Sequence, residues 1–154
     1  MPSEAQPNAI IRHPNKDTVL RAFGEEVIIH LSGKDTGGTL ALWTEITQPG
    51  GGPPPHYHEN EDETFLVQEG RFGFFRDGRW EELGPGGIAF MPRNVIHTFK
   101  NVGDSPGRLL ISTHPSGFEV FFARCAEEFA KPTPTDMERI MAISAEHGIH
   151  FVTE

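Results

Sequence analysis

Apolar and polar positions alternate with a period of two through most of the first 115 residues, and the period then lengthens to that of a helix. Glu25–Leu31 carries the β-branched cluster Val27-Ile28-Ile29 and reads as a strand. Thr39–Ile46 alternates cleanly, with Leu40, Leu42, Thr44 and Ile46 on one face and Ala41, Trp43 and Glu45 on the other. Glu63–Arg76 divides at Gly70 into two strands. Phe65 and Val67 share a face with Glu63, and Phe72 and Phe74 share one on the second strand. Asp77-Gly78 marks a hairpin turn, and Ile88–Met91, His97–Asn101 and Arg108–Thr113 complete the strand series. Gly33–Gly38 and Gly84–Gly87 read as turns, and Pro49–Pro55 as a stiff connector. Residues 1–22, with Pro2, Pro7 and Pro14 among polar residues, read as an irregular arm.

Beyond residue 115 two amphipathic helices are predicted. Ser116 and Glu119 fit a capping box, and Phe118, Phe121, Phe122, Cys125 and Phe129 follow at helical spacing until Pro132 and Pro134 stop the helix. Thr135 and Glu138 fit a second box, ahead of a Met137, Ile140, Met141 stripe that ends at Gly148. Strands first and helices last predict an all-β fold, a closed barrel with two C-terminal helices packed outside it or over one mouth. The division is an arm over 1–22, a barrel over 23–115 and a helical segment over 116–154, all within one domain.

Composition agrees. Glycine (17) and proline (13) make up roughly a fifth of the 154 residues, which favours turns over a helix bundle. The 22 acidic residues outnumber the 13 basic ones, for a net charge of −9, and no run of Lys or Arg offsets them. Binding to nucleic acid or to an anionic membrane is therefore not expected. A single cysteine, Cys125, allows neither an internal disulfide nor a multi-cysteine metal site, and it reads as a small buried hydrophobe. The N-terminus lacks a signal-peptide pattern and no apolar run is long enough for a span, so a soluble, cytoplasmic protein is expected.

The eight histidines are unevenly spread. His56 and His58 flank Tyr57 directly after the proline connector, and in a strand both imidazoles point one way. Glu63 heads an apolar strand face, where an unpaired carboxylate is costly and a cation would satisfy it. His97 opens the strand that carries Phe99. Three neutral imidazoles and one carboxylate suit a borderline divalent ion: Fe, Mn, Co, Ni, Cu or Zn. The surrounding loop is acidic in any case, with Glu59, Glu61 and Asp62, so composition alone leaves Glu63 open as one more solvated carboxylate.

The spacing carries a resemblance. Gly50, His56-x-His58, Glu63 and Gly70 follow one another as in the first motif of the cupin superfamily. Gly86, Pro92-x-Asn94, His97 and Asn101 follow as in the second. Asn94 stands where the family usually has glycine, and asparagine tolerates a positive φ. The resemblance implies a jelly-roll barrel of two antiparallel sheets with a metal held by His56, His58, Glu63 and His97. Of the acidic neighbours, it selects Glu63, and Glu59 and Glu61 are left as solvated loop carboxylates. Among cupins the chain resembles the quercetin 2,3-dioxygenase-like small bacterial group.

That resemblance implies a metal-dependent dioxygenase acting on a small aromatic or enolic substrate, with Glu63 as ligand or as base. Phe65, Phe72, Phe74, Phe90 and Phe99 are the candidate pocket, with plain barrel core as the alternative. Two other functions stand beside it. One is an O2-independent metal-dependent isomerase, lyase or decarboxylase; the other is a non-catalytic small-molecule-binding cupin. Cupins commonly cover open sheet edges by pairing, so a homodimer is expected, through the Val27–Ile29 strand and the N-terminal arm.

Overall fold

Alternation does build two antiparallel sheets. A computed structural model describes residues 6–14 and 19–152. In chain order the elements are β1 (Val19–Ala22), β2 (Glu25–Leu31), the single-turn α1 (Gly33–Thr36), β3 (Ala41–Thr47), β4 (His56–His58), β5 (Asp62–Glu69) and β6 (Phe72–Arg76). They continue with β7 (Arg79–Leu83), β8 (Ile88–Met91), β9 (His97–Asn101), β10 (Gly107–His114), α2 (Phe118–Phe129), α3 (Met137–Glu146) and β11 (Ile149–Phe151). One sheet runs β1-β2-β3-β10-β5-β8 and the other β11-β4-β9-β6-β7. Their inner faces enclose an aromatic core in which Trp43, Phe65, Phe72 and Ile111 are fully buried. Each such side chain contributes about 2–3 kcal/mol by leaving water. No helix among the described residues is long and apolar enough to cross a membrane.

Several expectations are corrected. Residues 19–22 of the expected arm form β1, paired with β2 from Val19↔Ile28 to Ala22↔Glu25. With β3 on its other side, β2 has no free edge, so the open edge near the expected dimer contact belongs to β1. Gly33–Gly38 holds a one-turn helix rather than a bare turn. Residues 79–83 and 149–151, polar or too short to alternate visibly, are strands because partners hold them. Both helix starts lie one residue later than expected. Gly117 caps α2, with its N–H donating to Glu119 Oε1 (2.6 Å), and Asp136 caps α3 by accepting from Glu138 N and Arg139 N.

The inner face of β3 is the one bearing Ala41, Trp43, Glu45 and Thr47. Ladder register places that face in rows across the sheet: Ala41–Thr113–Glu63, Trp43–Ile111–Phe65 and Glu45–Leu109–Val67. Cys125 is buried on α2 and desolvation pushes its thiol up to about 11, consistent with a packing role.

The proline connector is pinned to β9 by backbone bonds from Gly50 N to Asn101 O and from Asn101 N to Gly51 O, both 2.9 Å. Asn101 is buried and its amide donates to Thr47 O and Ser105 O, also at 2.9 Å. Gly52 passes so close to β9 that an added Cβ would strike the Phe99 carbonyl, and its φ is 150°. Gly50 also has a positive φ, 78°, but open space around it. Gly52→Ala is therefore expected to cost about 3 kcal/mol, the upper range for overpacking, and Gly50→Ala only about 1 kcal/mol of backbone strain. Urea denaturation of the two variants checks this difference.

Candidate metal centre

Three strands converge on one point. His56 and His58 lie on the inner face of β4, His97 faces His56 across the β4–β9 pair, and Glu63 enters from β5 in the opposite sheet. β4 is only three residues long. It is held by β9 on one side and β11 on the other, with Ile149↔His58 and Phe151↔His56, and Asn94 N donates to His58 O at 2.7 Å. Asn94 takes the left-handed conformation, φ 70°, as its place in the turn requires. The four side chains expected from the sequence are all buried and all brought together, with one donor atom from each lying within 4.8 Å of the others.

The outer nitrogens fix what the inner ones can do. His56 Nδ1 lies 2.9 Å from Pro54 O, His97 Nδ1 2.9 Å from Val95 O, and His58 Nδ1 2.9 Å from Glu61 Oε1. A carbonyl oxygen only accepts, so Nδ1 of His56 and of His97 must carry the hydrogen. In a neutral ring the inward Nε2 is then a bare lone pair. His97 Nε2 faces Glu63 Oε1 at 3.1 Å, His58 Nε2 faces the same oxygen at 3.7 Å, and His58 Nε2 has no hydrogen-bond partner. Lone pairs and a carboxylate aimed at one another inside a buried site call for a cation between them, and this donor set fits a divalent ion.

The titration directions of His56 and Glu63 agree with this, and that of His58 runs the other way. Burial, then repulsion from His97 and His58, drives the His56 imidazole down to about 3, so it is neutral and free to ligate at neutral pH. Burial pushes Glu63 upward, but the facing histidines outweigh it and hold the carboxyl below its ordinary range. For His58 burial pulls downward, but the charge of Glu63, then the hydrogen bond and charge of Glu61, overcome it and raise the imidazole above its ordinary value, so this ring takes a proton more readily than His56.

Glu61 corrects the sequence reading. Instead of being solvated, it is buried and fixes the His58 ring. Its neighbour Glu59 is exposed and pairs with His150 at 3.1 Å. His114, outside the cluster, bonds Ser112 on the exposed side.

The pocket expectation is narrowed. A cavity of about 50 Å3 adjoins His56 and Glu63 and is lined by Phe99, Ile111, Phe118, Phe121 and Phe122, among others. Of the five expected phenylalanines only Phe99 lines it. Phe65, Phe72 and Phe74 pack as core behind it, and Phe65 sets its edge against His97. Phe90 stands on the outer face of β8 and is 59% exposed, because the inward positions there belong to Ala89 and Met91. Helix α2 closes this end of the barrel. Phe118 stacks on Trp43 at 4.6 Å and 9°, and sits 5.9 Å from His58.

Two carboxyls missed from the sequence also line the cavity, Glu25 and Glu45. Glu25 Oε2 accepts from Thr47 Oγ1 at 2.6 Å, and Glu45 Oε1 accepts from Trp43 Nε1 at 3.2 Å. Burial outweighs the Thr47 bond and lifts Glu25 to about 7; burial and then the charge of Glu25 lift Glu45 well above the carboxylate range. The signal was the one that selected Glu63, a carboxylate on an inward apolar face. Glu25 shares its parity with Val27 and Ile29, and Glu45 shares its own with Trp43.

Comparison with known proteins gives a consistent result. The family model described as "Cupin domain" matches residues 43–122. Quercetin 2,3-dioxygenase of Bacillus subtilis is 27% identical over 96 residues, covering 62% of this chain and 28% of that protein. The chain spans 28% to 51% of the length of the curated relatives it matches. Among solved structures, a predicted oxalate decarboxylase from Thermotoga maritima superposes with a TM-score of 0.64 at 18% identity, covering 69% of this chain and 99% of that one. The polyketide cyclase RemF from Streptomyces resistomycificus superposes with a TM-score of 0.59 at 23% identity, covering 81% and 95%.

Two outcomes follow from this geometry. Glu61→Ala removes the partner of His58 Nδ1 and is expected to weaken divalent-metal binding about tenfold or more, while Glu59→Ala leaves it unchanged, as titration calorimetry would show. The second concerns pH. A carboxyl raised to about 7 in the fold stabilises fully below its ordinary 4.5, and that contribution is lost as pH climbs through 7. Metal-free Glu25→Gln should therefore gain on the wild type between pH 4.5 and 8, by up to about 3 kcal/mol in paired urea melts. His56, whose lowered value acts in the opposite sense, cancels in the comparison.

Proposed function

The chain belongs to the cupin family, and we propose that it is a metal-dependent dioxygenase acting on a small enolic or aromatic hydroxy compound. The observation that carries this reading is the set of four buried donor atoms within 4.8 Å, opening onto a cavity walled largely by phenyl rings. His56, His58, Glu63 and His97 would hold one divalent ion, which when bound supplies positive charge to a substrate oxygen and a centre at which O2 can be taken up. The chain's own residues do the rest. Glu63 stays ionised and offsets the added charge, the Nδ1 bonds keep three rings in position, and Phe118, Phe121 and Phe122 exclude water. The similarity to quercetin 2,3-dioxygenase supports the reaction class. A space of about 50 Å3 holds only a few water-sized groups, against the roughly 300 Å3 or more of drug-sized sites. It favours a compact substrate; a flat polycyclic one requires α2 to shift.

A second reading is O2-independent proton-transfer chemistry at the same centre, as in an isomerase, lyase or cyclase. Glu25 and Glu45 favour it, because they add acid and base groups to the cavity.

The test is metal analysis, then O2 uptake by the metal-loaded protein with a panel of small enediols, hydroxypyranones and flavonols. The dioxygenase reading predicts O2 consumed in step with substrate, and a fall of about 100-fold or more in Glu63→Gln. Substrate turnover without O2 uptake supports the second reading. Absence of bound metal after reconstitution overturns both.

A further inference from the structure

The six-stranded sheet has a second face, turned away from the core, and the ladder register orders it in rows. One row crosses it from edge to edge: Val19, Ile28, Thr44, Leu110, Leu66 and Ile88, one residue from each strand. The next carries Leu42, Ser112, Thr64 and Phe90. None of these apolar side chains packs into the inner core. Ile28, Leu42, Leu66 and Leu110 are half-buried, and Ile88 and Phe90 are 68% and 59% exposed. The helices lie elsewhere. α2 packs against β1 on the core side, where Leu20 and Ala22 join Phe121 and Phe122, and α3 packs against β11. The arm over 6–14 meets the chain near α1, through Arg12 to Asp35 and to His30 O.

Polar groups on this face are satisfied within it. Thr44 Oγ1 pairs with His30 Nε2 at 2.7 Å. Charged side chains stand at its margins and pair with one another: Arg21 with Glu26 at 3.6 Å, Arg108 with Glu69 at 4.0 Å, and Arg93 with Asp62 at 3.2 Å. These pairs balance, so the face is neutral on a chain of net charge −9.

We propose that this face is the contact between two copies of the chain, packed sheet on sheet about a two-fold axis, with Leu110 near its centre. Size, shape and charge select that occupant. The six strands are four to eight residues long. At about 4.8 Å between strands and about 3.3 Å per residue they present roughly 600 Å2. Each partner of a stable dimer buries roughly 600–1,000 Å2. A twisted sheet face fits a second one of the same twist about 10 Å away, with side chains interdigitating. An extended peptide would instead add to the β1 or β8 edge. Two chains of net charge −9 repel over most of their surface, and a neutral face lets them meet. A basic partner would be drawn to the acidic remainder. The contact differs from pairing through Val27–Ile29, because Val27 and Ile29 pack inward and only Ile28 faces out. It is independent of the chemistry at the metal centre.

Sedimentation equilibrium of the full chain at micromolar concentration tests this. The wild type is expected to be a dimer. Leu110→Glu places a charge at the centre of the contact and should raise the dimer dissociation constant at least about thirtyfold. The double variant Ile88→Ser and Phe90→Ser changes only exposed side chains, so it keeps the fold, and it should weaken the dimer about tenfold. Added salt should tighten the wild-type dimer by screening the like charge of the two chains. A monomeric wild type overturns the proposal and leaves the face to another occupant. A dimer that both variants leave intact, with circular dichroism matching the wild type, overturns it as well. So does a dimer that added salt dissociates, since that marks an ion-paired surface.

Discussion

The candidate site depends on four buried electron-pair donors, from His56, His58, Glu63 and His97, held within 4.8 Å of one another. His97 Nε2 and His58 Nε2 lie 3.1 and 3.7 Å from one Glu63 oxygen, and the bonds at Pro54, Val95 and Glu61 turn the hydrogens of the rings outward. The ring nitrogens and the carboxylate are stripped of water and only partly paired with one another, and a cation between them would close the set into bonds. The strand order serves that arrangement. β4 is too short to persist alone, and it is held by β9 and by β11, which the chain forms only after two helices. The C-terminal segment is thus part of the site's frame as well as its cover.

The cover sets the scale of the chemistry. α2 brings Phe118, Phe121 and Phe122 over the barrel end, and Phe118 stacks on Trp43, a residue whose side chain is fully buried. In so confined and apolar a space each charged group acts at short range with little screening. Three carboxyls therefore divide by environment. Glu63 is held ionised by its histidines, while Glu25 and Glu45, lacking a cationic partner, are pushed toward the protonated form.

The barrel, its two C-terminal helices and the four-residue cluster were legible because each rests on spacing: a period of two, a period of 3.6, and the intervals between glycines, histidines and Glu63. What was not legible depended on partners distant in sequence. Glu61 looks like any loop carboxylate until the turn after β4 swings it onto His58 Nδ1. β11 has no alternation of its own and exists because β4 offers an edge. Phe90 shares its residue type with the core but lies on the outward parity of β8, where Met91 takes the buried position. Glu25 and Glu45 could have been found by applying to β2 and β3 the same argument that selected Glu63. What spacing could not supply was the cavity that they share with Phe118, Phe121 and Phe122 of α2.

The most direct measurement is X-ray absorption spectroscopy at the metal edge of protein loaded with one equivalent of cobalt(II). Three imidazole rings and one carboxylate in the scattering shell of a single ion per chain would match the buried cluster of His56, His58, His97 and Glu63. Failure to retain an ion, or an ion bound with fewer than three imidazoles, would contradict the account at its foundation.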